Sequence, residues 1–239
     1  MLDERRRERA VACMNIPLLF RRAGPTGSMM VKATRLTTHA RAHAHTDYHK
    51  IRPNLFVGTQ PTKPSDIDRL ADVEGVTCVF NTQQDKDMEY WKVDFASVKA
   101  HVAARQMRLE RYPFADFDAD SLRVGLPKAV AAMDALLSSG EVVYCHCTAG
   151  MGRSPGVTIA YMYWFLDEFA TLDDAYDALT SIRPCGPKKE SIRGATCDVL
   201  ASPEGAWPIK TLTRTLAPNE GATLTREEKK SICRKLRRT

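Results

Sequence analysis

The sequence lacks the features that would assign it to a membrane or an extracellular class. No apolar run reaches the roughly 18 residues that a transmembrane helix needs, so we expect no membrane span. The seven cysteines have no spacing typical of a disulfide framework, which indicates a reduced intracellular compartment. The 44% of apolar and 27% of charged residues are ordinary for a globular protein. With 239 residues, the chain is long enough for one good domain with extensions.

Acidic residues are missing from the whole stretch between Arg9 and Thr46. Residues 1–46 hold nine Lys or Arg against three acidic residues, and residues 202–239 hold nine against four. Residues 47–201 hold 17 basic against 22 acidic residues, so the predicted folded part is mildly acidic. A nucleic-acid-binding domain would place its basic patch on the folded surface. We therefore expect no nucleic-acid partner.

The composition divides the chain into three predicted parts. Residues 1–46 are typical of an organelle transit peptide, because they are basic and have no clean apolar core with a small-residue cleavage site. A disordered basic arm is the alternative for this part. Residues 47–201 are the predicted folded domain. In the extension at residues 202–239, a capping box beginning at Thr225 predicts a short basic helix, which either docks on the domain or stays in a solvated tail.

The folded domain is organised around the stretch from Val142 to Pro155. It opens with apolar, β-prone residues, passes through a glycine-containing loop and continues into an apolar segment from Gly156 to Phe165. That segment is too long for a strand, so the order predicts a strand, a loop and a helix. A loop at a helix N-terminus presents unpaired backbone N–H groups and the positive end of the helix dipole. Such a loop is a ready anion-binding site.

Two residues of this loop indicate nucleophilic chemistry on a phosphate. Cys147 opens the loop, and we expect the dipole and Arg153 to favour its thiolate, which makes Cys147 a candidate nucleophile. Arg153 closes the loop and has the fork geometry to hold two phosphate oxygens. We expect no metal at Cys145, His146 and Cys147, because adjacent strand residues point to opposite faces and no second ligand pair stands at zinc spacing.

The flanking sequence predicts strands that alternate with helices. This order indicates an α/β fold with a central, mostly parallel sheet flanked by helices, and with the site at the carboxyl ends of the strands. A polar loop at residues 83–91 is expected to end in Tyr90 and Trp91, and Ser121 is expected to cap a helix. The predicted strands cover residues 51–57, 76–80 and 107–112. One further helix is predicted to begin at Pro64, and four others are predicted at residues 95–104, 121–137, 172–182 and 191–200.

The run His146-Cys147-x5-Arg153-Ser154 resembles the signature of the cysteine-dependent dual-specificity phosphatases. The form CTAGMGR is similar to that of the glucan phosphatases of starch and glycogen metabolism. The resemblance covers roughly residues 48–198 and implies a cysteine-dependent phosphatase fold for the catalytic domain. Because the 38 residues after Ala201 are too few for a carbohydrate-binding module, it points to the short plastid type without one. It includes the stretches GTQP (58–61), QQDKDMEYW (83–91), DFD (116–118), AYMYWF (160–165) and IRGAT (192–196).

The residues and the resemblance together predict hydrolysis of a phosphate monoester without a cofactor. Cys147 is the predicted nucleophile that forms a phosphocysteine, and Arg153 the predicted ligand of the equatorial oxygens. A sugar alkoxide is a poor leaving group and needs a general acid. Residue chemistry leaves Asp116, Asp118 and Asp120 open, whereas the family pattern of Asp before an aromatic residue implies Asp116. The predicted phosphate-binding residues are Thr148, Ala149, Gly150, Met151, Gly152, Arg153 and Ser154, and Ser154 is also expected to bond the departing thiolate.

Aromatic residues carry the predicted substrate specificity. Tyr48, Tyr90, Trp91 and Phe117 match family positions that form an aromatic channel beside the phosphate pocket, so the resemblance implies that they bind the glucan. Tyr161, Tyr163 and Trp164, on the helix at 156–165, are instead expected in the core. The predicted partner is therefore a phosphorylated glucan such as amylopectin in starch. The predicted compartment is the plastid, and the sequence does not indicate an oligomeric state.

Two other functions remain as alternatives. Ser154 favours a dual-specificity phosphatase of phosphotyrosine, phosphoserine or phosphothreonine, because the resemblance to plant enzymes implies alanine after the arginine. A non-catalytic glucan-binding scaffold is less favoured, since Cys147, Arg153 and Asp116 are all present.

Overall fold

The structure is a computed structural model that describes residues 46–237. The predicted transit peptide thus lies outside the described residues, apart from Thr46. The strands are β1 (Tyr48–Arg52), β2 (Leu55–Gly58), β3 (Cys78–Asn81), β4 (Arg108–Arg111) and β5 (Val143–His146). The helices are α1 (Pro64–Glu74), α2 (Asp85–Tyr90), α3 (Phe95–Ala104), α4 (Ala119–Ser138), α5 (Arg153–Phe165), α6 (Leu172–Thr180), α7 (Lys189–Ala201) and α8 (Arg226–Arg237).

The five strands form one sheet in the order β1-β2-β5-β3-β4. Strands β2, β5, β3 and β4 run parallel, and only β1 is antiparallel to its neighbour. The mostly parallel sheet flanked by helices is therefore confirmed. The register places Gly58, His146, Asn81 and Arg111 side by side at the carboxyl ends of the parallel strands. The loops that follow these four residues consequently meet at one edge of the sheet, where ligands bind in open α/β folds.

Three local predictions are wrong. The single strand at residues 51–57 is a hairpin of β1 and β2, because the turn at Pro53 and Asn54 interrupts it. The polar loop at 83–91 contains helix α2, whose first turn closes when Asp87 Oδ2 accepts a 3.0 Å hydrogen bond from Gln84 N. The cap of α4 is Asp118 rather than Ser121, since Asp118 Oδ1 accepts from the backbone N–H groups of residues 120 and 121.

Hydrophobic residues cover both faces of the sheet. Along β5, Val143 and Cys145 point into the larger core cluster, whereas Tyr144 points into the smaller cluster on the other face. This alternation is the period of two expected for a strand. Helix α5 crosses the larger cluster, where Tyr163 and Trp164 are fully buried. The predicted place of Tyr163 and Trp164 in the core is confirmed, whereas Tyr161 is half-buried and packs against the cluster.

The C-terminal helix α8 docks on the domain. Ile232 and Leu236 are buried in the larger core cluster. Lys229 Nζ donates to the carbonyl of Leu166, and Lys235 Nζ to that of Leu200, each at 2.7 Å. These carbonyls lie at the ends of α5 and α7, where a cation also interacts favourably with the helix dipole. Of the two alternatives for this segment, the structure shows the docked helix. None of the helices within residues 46–237 combines the length and apolar character needed to cross a membrane.

Candidate active site

The loop between β5 and α5 wraps its backbone around the sulfur of Cys147. Cys147 Sγ accepts a hydrogen bond from Gly150 N at 3.2 Å and another from Ser154 Oγ at 3.4 Å. Gly150 has a φ of +66°, and a Cβ there would lie 2.5 Å from the carbonyl oxygen of Gly58. Only glycine meets both conditions without strain. The turn of the loop toward Cys147 therefore depends on Gly150.

The surroundings of Cys147 favour its thiolate. Burial raises the pKa of the thiol, but the charge of Arg153 and hydrogen bonds from Ser154 together outweigh burial. The net result is a pKa below the ordinary value of a cysteine, although the carboxylate of Asp116 works in the opposite direction. A thiolate is the reactive form of cysteine, so this environment suits a nucleophile.

The guanidinium of Arg153 is buried and held from both ends. Its Nη1 donates to Asp87 Oδ2 and, at 3.2 Å, to the carbonyl of Phe114. Its Nη2 donates to Thr148 Oγ1 at 3.0 Å and lies 3.2 Å from Asp116 Oδ2. Its Nε is buried without a hydrogen-bond partner. An oxyanion that bound across Nε and Nη2 would therefore fill the free valence of Nε and displace Asp116 from Nη2.

The structure distinguishes among the three aspartates of the loop at 114–120. Asp116 forms the ion pair with Arg153, and Asp118 is occupied as the cap of α4. Asp120 is exposed in the first turn of that helix. The loop is fixed by Ser121 Oγ, which accepts from Ala115 N at 2.8 Å. Asp116 is therefore the carboxylate best placed to act as an acid beside Cys147.

A second buried arginine fixes the loop from outside. Arg183 Nε donates to the carbonyl of Gly150 at 2.9 Å, and its Nη2 donates to that of Ala149 at 3.1 Å. Carbonyls held outward leave the N–H groups of the same peptides free to point inward. Sequence analysis missed Arg183, because no motif marks it and its partners are 33 and 34 residues away.

Sequence analysis also gave no role to Asp87 or Gln83, which lie in and before α2. Asp87 bonds Arg153, whereas Gln83 Nε2 donates to Gln60 Oε1 at 2.6 Å and to Thr148 Oγ1 at 3.0 Å. Both belong to the stretch QQDKD that carries the resemblance, which was the one available signal. Their side chains connect the phosphate loop and Arg153 to the segments that follow β2 and β3.

Three of the four predicted glucan-binding aromatics are exposed. Trp91, Tyr90 and Phe117 have 42%, 55% and 41% of their surface accessible, and the rings of Tyr90 and Trp91 meet edge to face. The predicted fourth, Tyr48, is half-buried: its ring packs on Phe56 and Tyr144. Its hydroxyl donates to a glutamate of α1 at 3.0 Å. A sugar contact at Tyr48 stays a prediction.

His146 is a structural neighbour of the site. Its Nδ1–H donates to the carbonyl of Cys147 at 3.2 Å, and its ring stacks on Tyr144. Burial lowers the pKa of His146 to about 4, so the ring is neutral at physiological pH. Residues 46–237 contain no group of three His, Cys, Asp or Glu side chains arranged to hold a metal ion.

Comparisons with known proteins agree with this geometry. The family model "Dual specificity phosphatase, catalytic domain" matches residues 55–193. Two solved structures, PTPMT1 and the PTP-2 phosphatase of Cydia pomonella, share the fold with TM-scores of 0.51 each. They are 20% and 19% identical, and the match covers 61% of this chain and 88% and 86% of theirs.

Two curated plant relatives are more similar in sequence. An amyloplastic phosphoglucan phosphatase of Castanea sativa is 40% identical over 156 residues, and a chloroplastic one of Arabidopsis thaliana is 30% identical over 154. Each match covers 64% of this chain, but only 41% and 26% of the relatives. Laforin of Mus musculus is 25% identical over 65% of this chain and 50% of its own length. The chain thus spans half or less of the curated relatives that it matches.

Proposed function

The chain belongs to the dual-specificity phosphatase family, and we propose that it removes phosphate from starch-like glucans through a phosphocysteine at Cys147. In the first step, the thiolate attacks phosphorus, an S–P bond forms, and the P–O bond to the sugar breaks. Protonated Asp116 gives its proton to the departing sugar oxygen. Arg153 and the loop N–H groups of residues 148–153 hold the three remaining oxygens.

In the second step, water attacks the phosphorus of the phosphocysteine. Asp116, now a carboxylate, takes the proton from water as the new P–O bond forms and the S–P bond breaks. Inorganic phosphate leaves, and Cys147 returns to its thiolate. The hydroxyl of Ser154 lies 3.4 Å from this sulfur and stabilises the thiolate as it departs.

One observation supports a glucan as the substrate. Each carboxylate that contacts Arg153 has an exposed aromatic residue close by in the chain: Phe117 follows Asp116, and Trp91 N donates to the carbonyl of Asp87 at 3.1 Å. Aromatic faces stack on sugar rings, so exposed aromatic residues in the two segments that supply these carboxylates suit a glucan chain. The names of the plant relatives and of laforin agree with this substrate.

The proposal is tested by phosphate release from phosphorylated amylopectin and from phosphopeptides at equal enzyme concentration. We expect the glucan to be the better substrate, and the Cys147→Ser variant to release phosphate from neither. Faster turnover of phosphopeptides would instead support the protein phosphatase, the rival that Ser154 favours. Glucan binding without turnover of either substrate would support the scaffold.

We also propose a plastid location for the chain. The basic, acid-free segment before Thr46 supports it, and the two plant relatives are described as amyloplastic and chloroplastic. A reporter fused behind residues 1–46 is expected to enter plastids. A reporter that stays in the cytosol would contradict the location and leave the catalytic proposal intact.

A further inference from the structure

Asp87 places a second carboxylate against the guanidinium of Arg153. It lies 66 residues before Arg153 and outside the phosphate loop, and the proposed reaction makes no use of it. The side chain of Asp87 is 13% exposed and that of Arg153 4%, so the ion pair is shielded from water. A buried ion pair of this kind is costly to desolvate, and it needs good geometry and further hydrogen bonds.

The structure supplies that geometry. Asp87 Oδ2 also accepts from Gln84 N at 3.0 Å, which ties the carboxylate to the first turn of α2. Arg153 Nη1 donates both to Asp87 and to the carbonyl of Phe114, so this nitrogen is fully engaged. Rotation of the guanidinium away from the loop would break both bonds. Asp87 therefore restricts the orientation of the fork while leaving Nε without a partner.

A carboxylate beside a phosphate-binding arginine has two opposite effects. It repels the phosphate dianion, but it also holds the guanidinium in the orientation that binds it. We propose that the second effect prevails and that Asp87 is a positioning residue for Arg153. The physical reason is that Asp87 and an oxyanion use different parts of the fork: Asp87 bonds Nη1, whereas an oxyanion takes Nε, which has no hydrogen-bond partner, and replaces Asp116 at Nη2. This inference rests on the proposed phosphatase function.

The two effects predict opposite signs for an Asp87→Ala variant. If Asp87 positions Arg153, the variant lowers kcat/KM for a small aryl phosphate on the order of tenfold, and it weakens inhibition by orthovanadate by a similar factor. Alkylation of Cys147 by iodoacetate then requires a higher pH, because Arg153 no longer lies where it lowers the pKa of the thiol. Asp87→Asn keeps an acceptor for Nη1 and is expected to fall between the wild type and Asp87→Ala.

Asp85→Asn is the matched control in the same helix. Asp85 has a side chain that is 73% exposed and pairs with Arg111 rather than with Arg153. We expect wild-type kcat/KM, orthovanadate inhibition and alkylation profile for this variant. Melting temperatures of all variants separate an effect on the site from an effect on the fold.

Two results would overturn the inference. Tighter orthovanadate inhibition or a higher kcat/KM for Asp87→Ala would make Asp87 a competitor of the phosphate. A lower melting temperature of Asp87→Ala with unchanged orthovanadate inhibition and alkylation would show that Asp87 contributes to stability alone. If Asp87→Ala does not fold, the same measurements on Asp87→Asn decide between these roles. Wild-type enzyme without turnover of any phosphate ester would refute the proposed function instead, and the pH profile of alkylation of Cys147 would still report on Asp87.

Discussion

The hydroxyl of Ser154 donates a 3.4 Å hydrogen bond to the sulfur of Cys147, in the first turn of the helix that follows the loop. Ser154 is fully buried, so water cannot replace this bond. A hydrogen bond to a charged acceptor in a dry site is among the stronger ones. In the proposed reaction, Ser154 therefore stabilises the thiolate both before attack and when the phosphocysteine breaks down.

Ser154→Ala is expected to raise the pKa of Cys147 and to slow breakdown of the phosphocysteine. The loss of one such bond should lower kcat by roughly tenfold. The pH profile of alkylation by iodoacetate measures the first effect, and the burst of product in stopped-flow assays with an aryl phosphate measures the second. An unchanged profile would show that Ser154 contributes nothing to the thiolate.

Arg183→Ala is expected to loosen the phosphate loop. Arg183 is almost fully buried and bonds two loop carbonyls, so its loss frees peptides whose N–H groups bind the phosphate in the proposed reaction. We predict a fall of kcat/KM on the order of tenfold to a hundredfold, with a smaller fall for Arg183→Lys. Arg108→Ala, on an arginine that is 54% exposed on β4, is the control. Equal activity of the Arg183 and Arg108 variants would refute the role of Arg183 in holding the phosphate loop.

Acid is expected to destabilise the fold through His146. Its pKa is about 4 in the folded state and near 6.5 in an unfolded chain, so only the unfolded state takes up a proton between these values. Stability is thus complete above pH 6.5 and falls as the pH drops toward 4, by on the order of 3 kcal/mol. His146→Asn keeps a donor near Nδ1 but cannot titrate. Urea unfolding at several pH values should show a flatter pH dependence for this variant, and identical slopes would contradict the assignment.

Local sequence patterns predicted the strand, loop and helix that carry Cys147 and Arg153, and the structure shows these three elements. The glycines and the helix start near Cys147 and Arg153 are neighbours in the chain, and the structure brings the two residues together as the pattern predicts. The mostly parallel sheet was likewise predicted from the alternation of strand and helix segments along the chain. Helix α2 was missed because its six residues are too short for an apolar period and largely polar.

Contacts between distant segments were beyond the sequence. Asp87 and Arg183 act on the loop from 66 and 33 residues away, and no local propensity encodes such a pairing. The choice of Asp116 over Asp118 needed the resemblance, since only the structure shows that Asp118 is engaged as a helix cap. Tyr48 illustrates the converse: an aromatic residue at a matching position has a packing role that the sequence did not reveal.

The most direct test of the account compares Trp91→Ala with the wild type on two substrates. A small aryl phosphate touches only the Cys147 loop and the acid, whereas a glucan must also lay its sugar rings on the exposed aromatic residues. Loss of one ring should remove about 1 kcal/mol or more of binding in the transition state, roughly five- to tenfold in kcat/KM. We therefore predict such a fall for phosphorylated amylopectin and wild-type turnover for the aryl phosphate. An equal fall for both substrates, or no fall for either, would contradict the proposed glucan site at Trp91.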